Sequence, residues 1–235
     1  MGPLGLAVAP MSGFSVHIAS KAFGTQAILA DLDISLEQGE IACLLGPSGC
    51  GKTTLLSILA GLDDNYEGTF THPDGPIAMV FQNPRLLPWR TLAENIALIP
   101  GAGDVARARK LLTRVGLEGA VDQFPEKVSV GMQRRAALAR ALAIRPALIL
   151  MDEPLVSLDA ETSRDMRELL SETLFEAGVS ALISTHDRRE ALHLADRIVE
   201  LGGKPTSVVR DRKSPLDRAT RHDSAAVEAL LAEMF

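Results

Sequence analysis

The 235-residue chain is long enough for one large domain, or one domain with a lobe inserted, and its 46% hydrophobic and 23% charged content excludes disorder and collagen-like repeats. Lys and Arg number 24 against 30 Asp and Glu, a net charge of −6, which argues against a dedicated nucleic-acid binder but not against a local basic patch. Two cysteines, Cys43 and Cys50, are too few for a secreted disulfide framework.

The chain opens with residues 1–12, which carry no charged side chain. The apolar run Leu4–Ala9 is short, contains Gly5, is flanked by Pro3 and Pro10, and has no basic segment before it. Ala7-Val8-Ala9 mimics a cleavage site, but the other features of a signal peptide are missing. The expectation is a disordered leader ahead of a second methionine at Met11. No stretch reaches the roughly 18–20 uncharged apolar residues of a membrane span, so a membrane would be met through a partner.

Beyond the leader, short apolar runs rich in β-branched residues alternate with helical periodicity, the pattern of an α/β sheet. Strands are expected at Phe14–Ala19, Ile28–Leu36 and Ile41–Leu45, then a helix at Lys52–Leu62 and a strand at Ile77–Phe81. Helical patterns at Thr91–Ala97, Asp104–Val115 and Gly131–Ala143, with no convincing strand among them, suggest an inserted all-helical lobe over 91–145. Between 105 and 145 nine Lys and Arg face three acids. They form either an ordinary solvated surface or a set of cations near bound phosphates or anionic lipid. A strand at Ala147–Met151, a helix at Ala160–Ala177, a strand at Val179–Ser184, a helix at Arg188–Ala195 and strands at Arg197–Leu201 and Thr206–Arg210 follow. The run at 147–151 has no polar position, as in a central strand covered on both faces. Ser224–Phe235 is amphipathic, with Ala225, Val227, Leu230, Leu231 and Met234 roughly on one side, and is expected to pack on its own domain.

Gly46-Pro47-Ser48-Gly49-Cys50-Gly51-Lys52-Thr53 fits G-x-x-x-x-G-K-[ST] between a strand and a helix, the context that makes a phosphate cradle. Its glycines permit a tight loop whose N–H groups converge on phosphates at a helix N-terminus. Lys52 is expected to bridge the β- and γ-phosphates of ATP and Thr53 to ligate Mg²⁺, with Thr54 beside it in the first turn. Leu150-Met151-Asp152-Glu153-Pro154 ends the most apolar strand. Asp152 is placed to hold Mg²⁺ and Glu153 to polarise the attacking water as general base. Gln82 and His186 also follow apolar strands, so in a parallel sheet four strand ends present their polar residues to one edge. Cys50 lies near a helix start and Lys52, a setting that favours a reactive thiol. The plainer reading is a small residue filling a tight loop.

Taken in order, these residues resemble the ATPase subunit of an ATP-binding cassette transporter over about 14–210. The resemblance implies a P-loop NTPase-type α/β fold, a mainly parallel sheet with an N-terminal antiparallel β portion and an inserted helical lobe. It divides the chain into the leader at 1–12, a nucleotide-binding core at 13–90 and 146–210, a signature-bearing helical subdomain at 91–145 and a tail at 211–235. By that resemblance Phe23, 29 residues before Lys52, stacks on adenine. Gln82 is the Q-loop glutamine, reaching both metal and attacking water, and His186 is the switch histidine near the γ-phosphate. Val128-Ser129-Val130-Gly131-Met132 matches the signature, through which Ser129 and Gly131 touch the ATP held by a second copy, and Asp159 matches the D-loop aspartate.

Gln82-x-x-x-Leu86-Leu87-Pro88-Trp89 is similar to the nitrate, sulfonate and taurine importer branch, at the place where a permease would dock. Trp89 is either a core edge or a contact for that partner. The implied function is an energy-coupling ATPase of an importer. It would form a head-to-tail homodimer with two ATP, act on integral-membrane permease subunits fed by a solute-binding protein, and sit peripherally on the cytoplasmic face of the inner or plasma membrane, with no nucleic-acid partner. A non-transport cassette ATPase, and a binding-only subunit weakened at Val130 and Val156, are the alternatives. Valine replaces a glycine of the family pattern at both positions. If either needs positive φ, or a close backbone approach to phosphate, weaker dimer closure or slower turnover is expected.

Overall fold

The computed structural model describes residues 13–234. The expected leader at 1–12 lies outside them. The chain runs β1 (Phe14–Phe23), β2 (Gln26–Leu36), β3 (Ile41–Leu45), α1 (Lys52–Leu59), β4 (Glu67–Thr71), β5 (Ile77–Val80), α2 (Leu92–Ala97), α3 (Val105–Arg114), α4 (Val130–Leu142), β6 (Leu148–Asp152), α5 (Ala160–Ala177), β7 (Ser180–Thr185), α6 (Arg188–Leu194), β8 (Arg197–Gly203), β9 (Thr206–Lys213) and α7 (Ser224–Met234).

Nine strands form one sheet in the order β4-β1-β2-β9-β8-β3-β7-β6-β5. β8, β3, β7, β6 and β5 are mutually parallel, whereas β4, β1 and β2 are antiparallel. β9 joins the halves, antiparallel to β8 and parallel to β2 through Leu29 and Thr206. The fold class read from the sequence is therefore the observed one. β4 escaped that reading because Glu-Gly-Thr-Phe-Thr has no apolar run, and it exists through pairing with β1. α1 stops three residues short of the expected Leu62. Gly61 turns left-handed at φ 67°, and the Leu62 N–H bonds back to the Ser57 carbonyl, a glycine-terminated helix end.

Side-chain alternation divides the core into two layers. Ile41, Cys43 and Leu45 of β3, Ile149 and Met151 of β6, and Ala181 and Ile183 of β7 face one cluster, which continues into α2, α3, α4, α5, α6 and α7. Ala42, Leu44, Leu148, Leu150 and Leu182 face the other, with α1 and the antiparallel strands. β6 is covered on both faces as expected, but it is not central: it lies next to the β5 edge strand, and β7 takes the middle of the parallel half. Burial pushes the Cys43 thiol far up, so it stays protonated and inert in the core. In α7, Val227 is buried and Leu230, Leu231 and Ala226 pack on the first cluster, while Ala225 is exposed.

Residues 91–145 contain α2, α3, α4 and two short 3₁₀ turns. Five of their nine cations are engaged by the chain itself. Arg109 pairs with Asp122, Arg114 with Glu176 and Lys127 with Glu126, while Arg134 and Arg140 donate to backbone carbonyls. For those five, the structure supplies protein partners in place of phosphate or lipid.

Candidate functional site

The glycines of 46–53 have separate steric reasons. Gly49 and Gly51 adopt φ of 78° and 96°, and a Cβ on Gly51 would meet Leu29 Cδ2 at 2.8 Å. A Cβ on Gly46 would meet Cys50 Sγ at 2.8 Å and the Leu201 carbonyl oxygen at 3.0 Å. Cys50 therefore folds against Gly46 and packs on the second core cluster, as a small residue filling a tight loop. Gly51 is the N-cap of α1, so the helix opens directly from the loop. A cavity of about 480 Å³ borders Pro47–Cys50, walled by Gln26–Ile28 and by Gly202–Thr206.

The parallel register carries the polar residues to one sheet edge. β3 pairs with β7 up to Leu45 and Thr185, and β7 pairs with β6 up to Ser184 and Asp152. Lys52 is 4% exposed, and its Nζ donates to the Gly46 and Pro47 carbonyls at 2.7 and 3.1 Å. The same ammonium lies 3.7 Å from Glu153 Oε1, and His186 Nδ1 lies 3.4 Å from that oxygen. The Thr53 hydroxyl donates to Asp152 Oδ2 at 2.9 Å. Lys52, Thr53, Asp152, Glu153 and His186 thus form one connected cluster. Glu153 holds φ of 43°, a costly conformation for a non-glycine residue.

Sequence reasoning missed Ser184. It is fully buried, donates to Asp152 Oδ1 at 2.7 Å and accepts the Glu153 N–H at 3.0 Å. The signal was a hydroxyl directly after the apolar Ala181–Ile183 stretch, two residues before His186. Behind His186, Glu190 accepts the Thr185 hydroxyl at 2.6 Å. Burial pushes the Glu190 carboxyl up against that hydrogen bond.

The remaining expected residues are not in contact with this cluster. Gln82 is exposed two residues past the end of β5, on the same sheet edge. Phe23 is 55% exposed at the end of β1, with Lys21 Nζ 4.5 Å from its ring centroid. Ser129 caps α4 by accepting the Met132 N–H at 3.2 Å. A Cβ on Gly131 would meet Thr162 Cγ2 of α5 at 3.0 Å. Asp159 caps α5; the Thr162 hydroxyl and then its N–H hold the Asp159 carboxyl below the usual range.

Val130 and Val156 correct the strain argument. Neither lies in the left-handed region, which outside glycine is occupied among the described residues by Asp31, Arg85, Arg145, Glu153 and Ser157. Val130 is the first residue of α4, 54% exposed, and so any effect must come from what its side chain meets. Trp89 is no core edge. It is 68% exposed, on a segment fixed by Asn95, which bonds both the N–H and the carbonyl of Leu87 and the carbonyls of Arg90 and Thr91. Two buried or half-buried guanidiniums join α4 to the site's flanks. Arg134 donates to the Pro154 carbonyl at 3.2 Å, and Arg140 to those of Pro84 and Arg85 at 2.7 and 2.8 Å.

Known proteins match this chain closely. Residues 29–156 match the profile of a family described as ABC transporter. An aliphatic sulfonates import ATP-binding protein of Pseudomonas savastanoi pv. phaseolicola is 40% identical over 88% of this chain and 92% of its own length. Proteins of the same description from Xanthomonas axonopodis pv. citri and Pseudomonas aeruginosa are 41% and 43% identical, covering 94% and 88% of this chain and 93% and 88% of their own lengths. Among solved structures, the dimeric post-hydrolysis state of the ATP-binding cassette MJ0796, bound to ADP and Pi, superposes with a TM-score of 0.73 at 29% identity. It covers 87% of this chain and 100% of that one.

Proposed function

This chain belongs to the ABC transporter family, and on that premise we propose that it is the energy-coupling subunit of a sulfonate importer, hydrolysing ATP to drive a membrane permease. The connected cluster of Lys52, Thr53, Asp152, Glu153 and His186 is the observation that carries the reading. The loop N–H groups and the α1 N-terminus supply partial positive charge for the phosphates. Lys52 exchanges a loop carbonyl for the β- and γ-phosphates. Glu153 accepts a proton from water as the water oxygen bonds to the γ-phosphorus. The bond from that phosphorus to the β–γ bridging oxygen breaks, and its electron pair leaves with ADP. His186, 3.4 Å from the Glu153 carboxylate, stabilises charge on the transferring group.

Thr53 and Asp152 offer a hydroxyl and a carboxylate in direct contact, an all-oxygen pair suited to Mg²⁺. Bound there, the ion would neutralise charge on the phosphate oxygens. Gln82 joins this set only if its loop moves inward from its exposed place past β5. The groove beside Pro47–Cys50 is the reading's place for sugar and base, with Phe23 on the adenine.

Two copies are proposed to assemble head to tail, with Ser129 and Gly131 of one and Asp159 at the junction closing on the ATP of the other. No helix among the described residues is long and apolar enough to cross a membrane. Attachment to the cytoplasmic membrane face is assigned to the permease, docked on the Trp89 segment. The core at 13–90 and 146–210 holds nucleotide, and the helical subdomain at 91–145 transmits closure. Sulfonate is the substrate class carried by the relatives' names.

Tagged Glu153→Gln protein, incubated with ATP and detergent-solubilised native membranes, tests the assignment. Co-purification of a multi-span permease is expected, and its solute-binding protein should bind alkanesulfonates in calorimetry. Capture of nucleic-acid-associated proteins instead would overturn the importer reading. A solute-binding protein that takes nitrate and not sulfonate would overturn the substrate class alone.

A further inference from the structure

β7 reads Ser-Ala-Leu-Ile-Ser-Thr, and Ser184 near its end is fully buried. A buried hydroxyl costs free energy unless it is hydrogen-bonded. Register sets Ser184 opposite Asp152 on β6, and the hydroxyl is used twice there. It donates to Asp152 Oδ1 at 2.7 Å and accepts the Glu153 N–H at 3.0 Å. Thr53 engages the other Asp152 oxygen, Oδ2, at 2.9 Å. The carboxylate is thereby held at both oxygens. Without the first bond only Thr53 restrains its terminal torsion, which is otherwise soft because rotation about an sp³–sp² bond has broad minima. The second bond falls on the residue at φ 43°, whose side chain then runs toward Lys52 and His186.

We propose that Ser184 is a positioning residue: its hydroxyl orients the Asp152 carboxylate for a divalent cation and reinforces the backbone turn that presents Glu153, whose N–H the Ser184 carbonyl also accepts at 3.2 Å. The proposal rests on the reading of Asp152 as the acid on the metal side. The Ser184 hydroxyl bonds Asp152 and the Glu153 N–H and acts through these two neighbours. Its loss leaves every charge of the site in place and loosens the direction of one carboxylate. The loss should therefore appear in cation affinity and leave nucleotide affinity without metal unchanged.

The full chain is titrated with a fluorescent non-hydrolysable ATP analogue, first in EDTA and then at rising Mn²⁺, for the wild type, Ser184→Ala and Asp152→Asn. Ser184→Ala is expected to bind the analogue in EDTA like the wild type and to need about tenfold more Mn²⁺ for the half-maximal metal effect. Asp152→Asn should shift that midpoint further. A Ser184→Ala midpoint matching the wild type, with Asp152→Asn shifted, overturns the role of Ser184 and leaves Asp152 in place. An equal loss of affinity in EDTA and in Mn²⁺ also overturns it, since that is general loosening of the loop. An unshifted Asp152→Asn midpoint removes the metal-side reading of Asp152 and the proposal with it.

Discussion

Charged clusters occupy both ends of the parallel strands, and they are built differently. At the N-terminal end, Asp196 bonds the Ile41 N–H at 2.9 Å, and Arg218 and Arg221 each reach its carboxylate at 2.9 Å. Arg221 is 2% exposed and also donates to the Leu194 and Leu216 carbonyls. Burial alone would raise the Asp196 carboxyl. The Arg218 hydrogen bond, the Ile41 N–H and Arg221 outweigh it and hold that carboxyl below the usual range. At the C-terminal end the ionisable groups stand farther apart, with Glu153 at 3.7 Å from Lys52 and 3.4 Å from His186. Lys52 makes its firm bonds to backbone carbonyls. The first cluster is closed on itself and ties the segment before α7 to β3 and β8. The second is held by longer contacts, which leaves its groups able to change partners when phosphate arrives.

The largest expected effect is at the open cluster. Glu153→Gln should lower ATP hydrolysis about a thousandfold, the scale of a lost general base, and leave nucleotide binding intact. Phosphate release measured beside nucleotide affinity checks this, and an unchanged rate would give Glu153 no part in the chemistry. At the closed cluster, Arg221→Ala should cost about 2 kcal/mol of stability, because the Leu194 and Leu216 carbonyls lose their buried donor while Asp196 keeps Arg218. Urea unfolding should show it, while hydrolysis per folded molecule stays the same. Loss of activity without loss of stability would erase the contrast between the clusters.

A smaller effect follows from protonation. The Asp196 carboxyl is depressed in the fold, so its contribution is complete above the ordinary Asp value of about 3.9. It is lost as pH falls through the lower folded value. Asp196→Asn should therefore flatten the acid side of a stability-against-pH curve; a curve as steep as the wild type's would assign acid unfolding to other groups. The smallest is Val130→Gly, with a stability cost of about 0.5–1 kcal/mol. Since Val130 is not left-handed, glycine there relieves no strain. Faster hydrolysis confined to concentrations at which the chain dimerises would place the valine's effect at the junction of two copies. A rate unchanged at every concentration retires it.

Local spacing made much of the active end legible. A glycine-rich loop between a strand and a helix, and acids after an all-apolar strand, announce phosphate chemistry wherever the strands lie in the sheet. Ser184 was not legible, because a serine beside a threonine in an apolar strand reads as noise until register sets it against Asp152. Asp196, Arg218 and Arg221 were silent for the same reason: two arginines in a polar tail look solvated until the tail folds back. β4 required a partner strand to exist at all. The position of β6 also depended on the whole sheet, since an apolar run reports covered faces and says nothing about order.

By itself the sequence determined the α/β class, the phosphate loop and the chemical identity of the acids and bases, because those depend on residues near one another in the chain. Tertiary structure alone decided that Lys52, Glu153 and His186 meet within 4 Å, that Ser184 orients Asp152, that Trp89 is displayed and that Val130 is unstrained. Those outcomes depend on strand order, register and helix ends, which many residues far apart in sequence set together.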